Sequence, residues 1–197
     1  MTFSAVLLAG GESRRMGRDK ATIVFQGEPL WQRQLNLLRG FCPGKIFVSA
    51  RKKPSWLPPD AELLLDESPS RGPLSGLTRA VERMQTSHLV ALAVDMPFMT
   101  SEQLLALWNQ ATAGRGVLPM IGDRAEPLAA IYPREVGEDF AWALGSGDFS
   151  LQRLMRNLAA TNRLQTFLVK EKDEHLYRSV NEPGDLQGIH CPNSVDA

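Results

Sequence analysis

The run Ser4-Ala-Val-Leu-Leu-Ala9 carries no charge and stops abruptly at Gly10-Gly11. It is too short for a helix that buries itself, and it does not alternate apolar with polar. It therefore reads as a strand covered on both faces, which is how strands of a parallel sheet look. Such a strand requires neighbours on both edges and helices above and below. Immediately after it, Glu12 to Lys20 forms a basic loop holding Arg14, Arg15, Arg18 and Lys20.

The rest of the chain supplies those neighbours. Ala21 to Phe25 predicts a short extension closed by a turn at Gly27. A helical pattern follows from Pro29, with Trp31, Leu35 and Leu38 at i, i+4, i+7. Lys45 to Ala50 and Glu62 to Asp66 predict strands, separated by a loop rich in proline. Leu74 to Gln85 predicts a helix. His88 to Val94 is apolar throughout, so it reads as a central strand, ending at Asp95-Met-Pro-Phe98. Thr100 and Gln103 have capping-box spacing ahead of a helix over Glu102 to Ala113. Alternation of strand and helix with short loops predicts a Rossmann-like three-layer α/β/α fold with a mostly parallel central sheet. Beyond it, Gly116–Ile121 and Pro127–Tyr132 flank Gly122-Asp123 as a hairpin or a looser strand pair. Helices near Val136–Leu144 and Ser150–Ala160 and a strand over Leu164–Lys170 complete the pattern.

With 197 residues, 43% of them hydrophobic, the chain can fill one core, so residues 1–190 read as a single domain and 191–197 as a disordered tail. Lys plus Arg and Asp plus Glu balance at 22 each, which argues against nucleic acid as a partner. The two cysteines, Cys42 and Cys191, lack metal-site spacing. The first apolar run is shorter than a signal-peptide core, and no stretch approaches a membrane span. The expectation is a soluble cytoplasmic protein with no membrane partner.

Three constellations carry chemistry. The first is Leu8-Ala9-Gly10-Gly11 with the basic loop. Small residues at a strand end let a ligand approach the backbone. In open α/β sheets that carboxyl end is where ligands sit, and bare glycine amides bond phosphates or a base edge. Arg14, Arg15, Arg18 and Lys20 supply the charge a triphosphate needs. Lys20 is followed by Ala21, which excludes a Walker loop, and Gly10-Gly11-Glu12 breaks the dinucleotide fingerprint. The second is Asp95 at the exit of the central strand. A buried carboxylate needs a cation, a metal or a cleft, and magnesium accepts one or two carboxylates beside phosphate oxygens. The third is Arg71-Gly72-Pro73-Leu74-Ser75-Gly76 at a helix start, where amides and dipole favour anions. Asp66 precedes that loop and faces the same side. Glu126 and Asn181 are further candidates. A flexible basic loop, a strand-exit cap and a plain Gly-Pro turn are the competing structural explanations of the three.

Taken together these motifs resemble the molybdenum cofactor guanylyltransferases, small members of the nucleotide-sugar-pyrophosphorylase-like superfamily. Leu8 to Gly11 with Arg14-Arg15-Met16-Gly17-Arg18-Asp19-Lys20 looks like the signature. Gly72 to Gly76, Asp95-Met96-Pro97, Glu126-Pro127-Leu128 and Val180-Asn181-Glu182-Pro183 follow in the family's order. The resemblance covers the chain to about Leu186.

It implies a nucleotidyltransferase that moves GMP from GTP to the phosphate of molybdopterin, with Mg2+. Leu8, Ala9, Gly10 and Gly11 would face the nucleotide, Lys20 and Arg15 its phosphates, and Asp66 with Gly72, Pro73 and Leu74 would complete its site. Asp95 would hold the metal, and Asn181 would lie near metal or acceptor. Molybdoenzymes or cofactor-insertion proteins are implied as transient partners. The Gly-Pro-Leu-Ser-Gly loop favours GTP over CTP. Two departures stand out: Glu182 replaces the usual Thr of the last motif, and Ser49 stands where some relatives carry Asn. A cytidylyltransferase for the same cofactor, a sugar-phosphate nucleotidyltransferase and a non-catalytic nucleotide-binding or cofactor-delivery protein remain as alternatives.

Overall fold

A computed structural model of the chain describes residues 1–10, 19–66, 71–180 and 185. Strand β1 spans Phe3–Leu8, and a 3-10 turn, Lys20–Thr22, leads into the two-residue strands β2 (Val24–Phe25) and β3 (Glu28–Pro29). There follow α1 (Leu30–Gly40), β4 (Ile46–Ala50), β5 (Ala61–Leu65), α2 (Pro73–Arg83), β6 (His88–Ala93) and α3 (Ser101–Trp108). The second half holds β7 (Gly116–Ile121), β8 (Arg124–Ala125), β9 (Ile131–Pro133), α4 (Gly137–Ser146), α5 (Leu151–Ala160) and β10 (Leu164–Leu168).

The main sheet runs β10-β7-β9-β6-β1-β4-β5, with β8 paired to β7. β5, β4, β1 and β6 are mutually parallel. β9 is antiparallel to both β6 and β7, and β10 is parallel to β7. The expected mostly parallel sheet between helical layers is what forms. Period-two alternation along β1 makes the layers. Ala5 and Leu7 join a core with Leu30, Leu35, Leu38, Leu104 and Leu107, from α1 and α3. Val6 and Leu8 point the other way, into a core with Leu74, Leu77, Phe140, Leu154 and Leu158, from α2, α4 and α5.

The connection through α1 carries the chain from β1 to β4 on one side. The connection through α2 carries it from β5 across to β6 on the other side of β1. The order of strands therefore reverses between β1 and β6, and a crevice opens there beyond their carboxyl ends. One glycine permits this approach of layers. A Cβ on Gly76 of α2 would run into Ser49 of β4 and contact Leu8 of β1.

Several boundaries differ from the sequence-based expectation. The helix expected over Glu102–Ala113 starts under the Thr100 cap but ends at Trp108. Thr112 and Arg115 form a β-bridge, so the chain is already turning into β7. Gly116–Ile121 meets the Pro127–Tyr132 stretch as the looser antiparallel pair, at Val117↔Ile131. It makes a tight hairpin with β8, Pro127–Ala129 winds into a 3-10 turn, and the short β9 inserts between β6 and β7. Pro133 is the last residue of that strand, and with no N–H to donate it ends the pairing there. Among the described residues no helix is long and apolar enough to cross a membrane. Cys42 is exposed, and the tail 191–197 lies outside the described residues.

Candidate active site

The crevice between β1 and β6 contains a cavity of about 160 Å3, lined in part by Leu8, Ala9, Gly10, Lys20, Pro73 and Asp95, and also by Leu128. Larger surface clefts, of about 510 Å3 beside Arg134 and about 390 Å3 beside Trp142, hold neither Lys20 nor Asp95. Size alone does not mark a site. Convergence of opposite charges on bare backbone does, and it occurs in the small cavity.

β1 delivers Leu8 to Gly10. The Ala9 N–H donates to the Ser49 carbonyl at 2.9 Å, and the Val94 N–H donates to the Leu8 carbonyl at 3.1 Å, so the backbone is pinned from both sides. Asp66, leaving β5, closes over Gly10, where any Cβ would overlap its carboxylate. The Ser49 hydroxyl donates to Asp66 Oδ1 at 2.8 Å. Glycine at position 10 is thus required by a side chain two strands away, and Ser49 has a defined task in holding Asp66.

Lys20 is placed by its neighbour. Asp19 caps the 3-10 turn by accepting from the Ala21 N–H at 3.0 Å, and its other oxygen accepts from the Trp56 indole at 3.0 Å. Trp56 stacks on Trp31 with ring centroids 5.2 Å apart. The Lys20 ammonium then stands 3.6 Å from Asp95 Oδ2, and both side chains are about three-quarters buried, at 23% and 22% exposure.

Asp95 follows β6, and its backbone is also fixed: the Val180 N–H donates to the Asp95 carbonyl at 2.7 Å. The segment after it is held by α1, through Arg33 Nε to the Pro97 carbonyl at 2.7 Å and Gln34 Nε2 to the Met96 carbonyl. Burial pushes the Asp95 carboxyl above its ordinary value, and Lys20 offsets this only in part. A carboxylate whose charge the fold disfavours, in a cleft, opposite a lysine, is the arrangement expected of a functional group.

Pro73 lies against the cavity as the first residue of α2, and Gly72 caps that helix at φ 67°, a conformation that favours glycine. The Leu74 side chain points away into the core, 1% exposed, so only its backbone is available to a ligand. Gly11, Arg14, Arg15, Arg18, Asn181 and Glu182 lie outside the described residues. Sequence reasoning passed over the tasks of Asp19, Ser49 and Trp56. The capping pattern of Asp19 ahead of Lys20-Ala21-Thr22 is a local signal that could have been read; the other two contacts are non-local.

Among the described residues no group of three or more His, Cys, Asp or Glu side chains is placed to hold a metal ion. The donor set at Asp95 is a single carboxylate, which suits magnesium bound largely through substrate phosphates and water.

The MobA-like NTP transferase domain matches residues 5–164. A probable molybdenum cofactor guanylyltransferase of Mycobacterium bovis is 36% identical over 198 aligned residues, covering 96% of this chain and 92% of its own. One of Opitutus terrae is 32% identical, covering 93% and 92%. The crystal structure of molybdopterin-guanine dinucleotide biosynthesis protein A from Archaeoglobus fulgidus superposes with a TM-score of 0.72 at 22% identity, covering 93% and 94%.

Proposed function

Because this chain belongs to the MobA-like NTP transferase family and is a nucleotidyltransferase, we propose that it transfers GMP from GTP to the phosphate of molybdopterin and releases pyrophosphate. The observation that carries the reading is the Lys20–Asp95 pair, 3.6 Å apart across a cavity floored by the Leu8–Gly10 backbone.

In this reading the terminal phosphate oxygen of the acceptor attacks the α-phosphorus of GTP in line. A phosphorus–oxygen bond forms to the acceptor, and the bond to the β-phosphate bridging oxygen breaks as pyrophosphate leaves. The nucleophile is already an anion, so the protein needs no covalent intermediate. Its work is positioning and charge stabilisation. The backbone at Ala9 and Gly10 seats the nucleoside, with Asp66 held beside it by Ser49. Lys20 neutralises charge on the phosphates, joined by Arg15 of the basic loop. The N-terminus of α2 at Gly72–Pro73 adds dipole and amides to the same anion. Asp95 would hold Mg2+, which supplies Lewis-acid neutralisation of the phosphate oxygens when bound. Asn181 follows directly on Val180, whose N–H is bonded at Asp95, and serves the metal or the acceptor.

The Gly72-Pro73-Leu74-Ser75-Gly76 loop and the names of the relatives support GTP over CTP and molybdopterin as acceptor. The cytoplasm is the compartment this chemistry fits, and molybdoenzymes or insertion proteins are the recipients it points to. The deciding experiment measures pyrophosphate release with GTP, CTP, ATP and UTP, each with and without molybdopterin. Release with GTP that depends on molybdopterin is expected. Release only with CTP, or only with a sugar phosphate, overturns the assignment.

A further inference from the structure

The far half of the sheet brings a second charged pair to the carboxyl edge. β8 folds back from the end of β7 through Gly122 at φ 55°. Gln152 of α5 clamps its last residue on both backbone groups: the Ala125 N–H donates to Gln152 Oε1 at 3.1 Å, and Gln152 Nε2 donates to the Ala125 carbonyl at 2.8 Å. On one side of that clamp stands Arg124, its side chain 73% exposed; on the other stands Glu126, 4% exposed. Arg124 Nε donates to Glu126 Oε1 at 3.1 Å. Leu128, two residues on, lines the Lys20–Asp95 cavity.

Stability does not explain this pair. Burying a carboxylate is unfavourable and an apolar residue would serve the core as well or better. An exposed arginine contributes little to folding. What a fixed, buried carboxylate does accomplish is to hold a guanidinium by its Nε edge in one orientation, with further donors on the Nη atoms. That is how a planar fork is made ready for a phosphate.

Its place narrows what it meets. The glycine backbone, Asp66 and Lys20 all lie on the β1, β4 and β5 side of Asp95. Arg124 and Glu126 lie on the β6, β9 and β7 side. In-line displacement sets the attacking acceptor oxygen opposite the departing pyrophosphate, whose charge Lys20 takes in this reading, so the side away from Lys20 belongs to the acceptor. We propose that Arg124 binds the phosphomonoester of the acceptor, and that Glu126, clamped in place through Ala125 and Gln152, is the residue that positions it. This rests on the nucleotidyltransferase reading but needs only that the acceptor be a phosphomonoester.

The test is steady-state pyrophosphate release by the full chain, with molybdopterin and, separately, a hexose 1-phosphate and another phosphomonoester as acceptors. Arg124→Ala is expected to raise the KM for the working acceptor by about 10-fold to 100-fold, the scale of one charge-assisted bond. The Kd for GTP should stay at its wild-type value. Arg124→Lys should fall between. Glu126→Gln should raise the acceptor KM in the native background but add nothing to Arg124→Ala, which a merely structural role would not produce. An acceptor KM in Arg124→Ala within twofold of wild type overturns the inference, and equal effects of Glu126→Gln in both backgrounds overturn its positioning role. If turnover needs an acceptor other than molybdopterin, the proposed function fails while Arg124 is still tested on that acceptor. Turnover with none of the phosphomonoesters overturns both.

Discussion

Lys20 and Asp95 approach to 3.6 Å although one follows the loop after β1 and the other lies two residues beyond the end of β6. They meet because β1 and β6 are adjacent and parallel in register from Phe3↔His88 to Leu8↔Ala93, so both strands end at the same height. The price of bringing a carboxylate there is visible in its raised pKa.

That relation predicts a trade of stability for function. The folded chain disfavours ionised Asp95, chiefly through burial. The cost is absent below the ordinary carboxylate pKa, accrues as pH rises from there, and is complete only above the raised folded value. Asp95→Asn should therefore unfold at a higher temperature than wild type at pH 7, without nucleotide, and the difference should shrink as the pH is lowered through that window. The same variant should lose turnover. Thermal unfolding from pH 3.5 to 8 checks this.

Gly10→Ala should destabilise the chain by about 1–3 kcal/mol, because its methyl overlaps the Asp66 carboxylate that Ser49 holds in place. Adding Asp66→Ala should recover much of the stability and none of the nucleotide affinity. Chemical denaturation and GTP binding on the single and double variants separate the two effects.

Tyr132 is fully buried, and its hydroxyl donates to the Pro127 carbonyl at 2.6 Å. Tyr132→Phe leaves that carbonyl without its partner and should cost about 1–3 kcal/mol. Since Pro127 lies between Glu126 and Leu128, the acceptor KM should rise as well, with little change in GTP affinity.

The Arg39–Asp60 pair marks the opposite case. Arg39 donates to both Asp60 oxygens, at 2.9 and 2.8 Å, and this lowers the Asp60 pKa. Its contribution is therefore present above the ordinary carboxylate pKa and fades as pH falls through the lowered one. Both side chains are substantially exposed, so Asp60→Asn should cost no more than about 1 kcal/mol at pH 7, and less in high salt.

What the sequence reveals of this molecule follows the range of the interactions. β1, β4 and β6 are short, mostly apolar runs, and α1 and α2 have three-to-four-residue periodicity, so each is readable from a short window. The alternation of those elements dictates the parallel half of the sheet. The antiparallel insertion of β9 is not readable, because a three-residue strand ending in a proline acquires its partners only from β6 and β7. Within the site, Gly10, Lys20 and Asp95 stand out locally, as a strand end, a basic loop and an acid after an apolar run. The contacts that give them geometry, Ser49 to Asp66, Trp56 to Asp19 and Val180 to Asp95, join distant stretches and leave no local pattern. Arg124 and Glu126 are close in sequence, yet only the burial of one and the exposure of the other gives the pair its meaning.

The most direct measurement is the rate of pyrophosphate release from GTP and molybdopterin by Lys20→Ala and Asp95→Ala, each shown by circular dichroism and thermal unfolding to be folded. Loss of an electrostatic group that acts on the transition state should lower turnover by about 100-fold or more in each. Turnover within a few-fold of wild type in both folded variants would contradict the account.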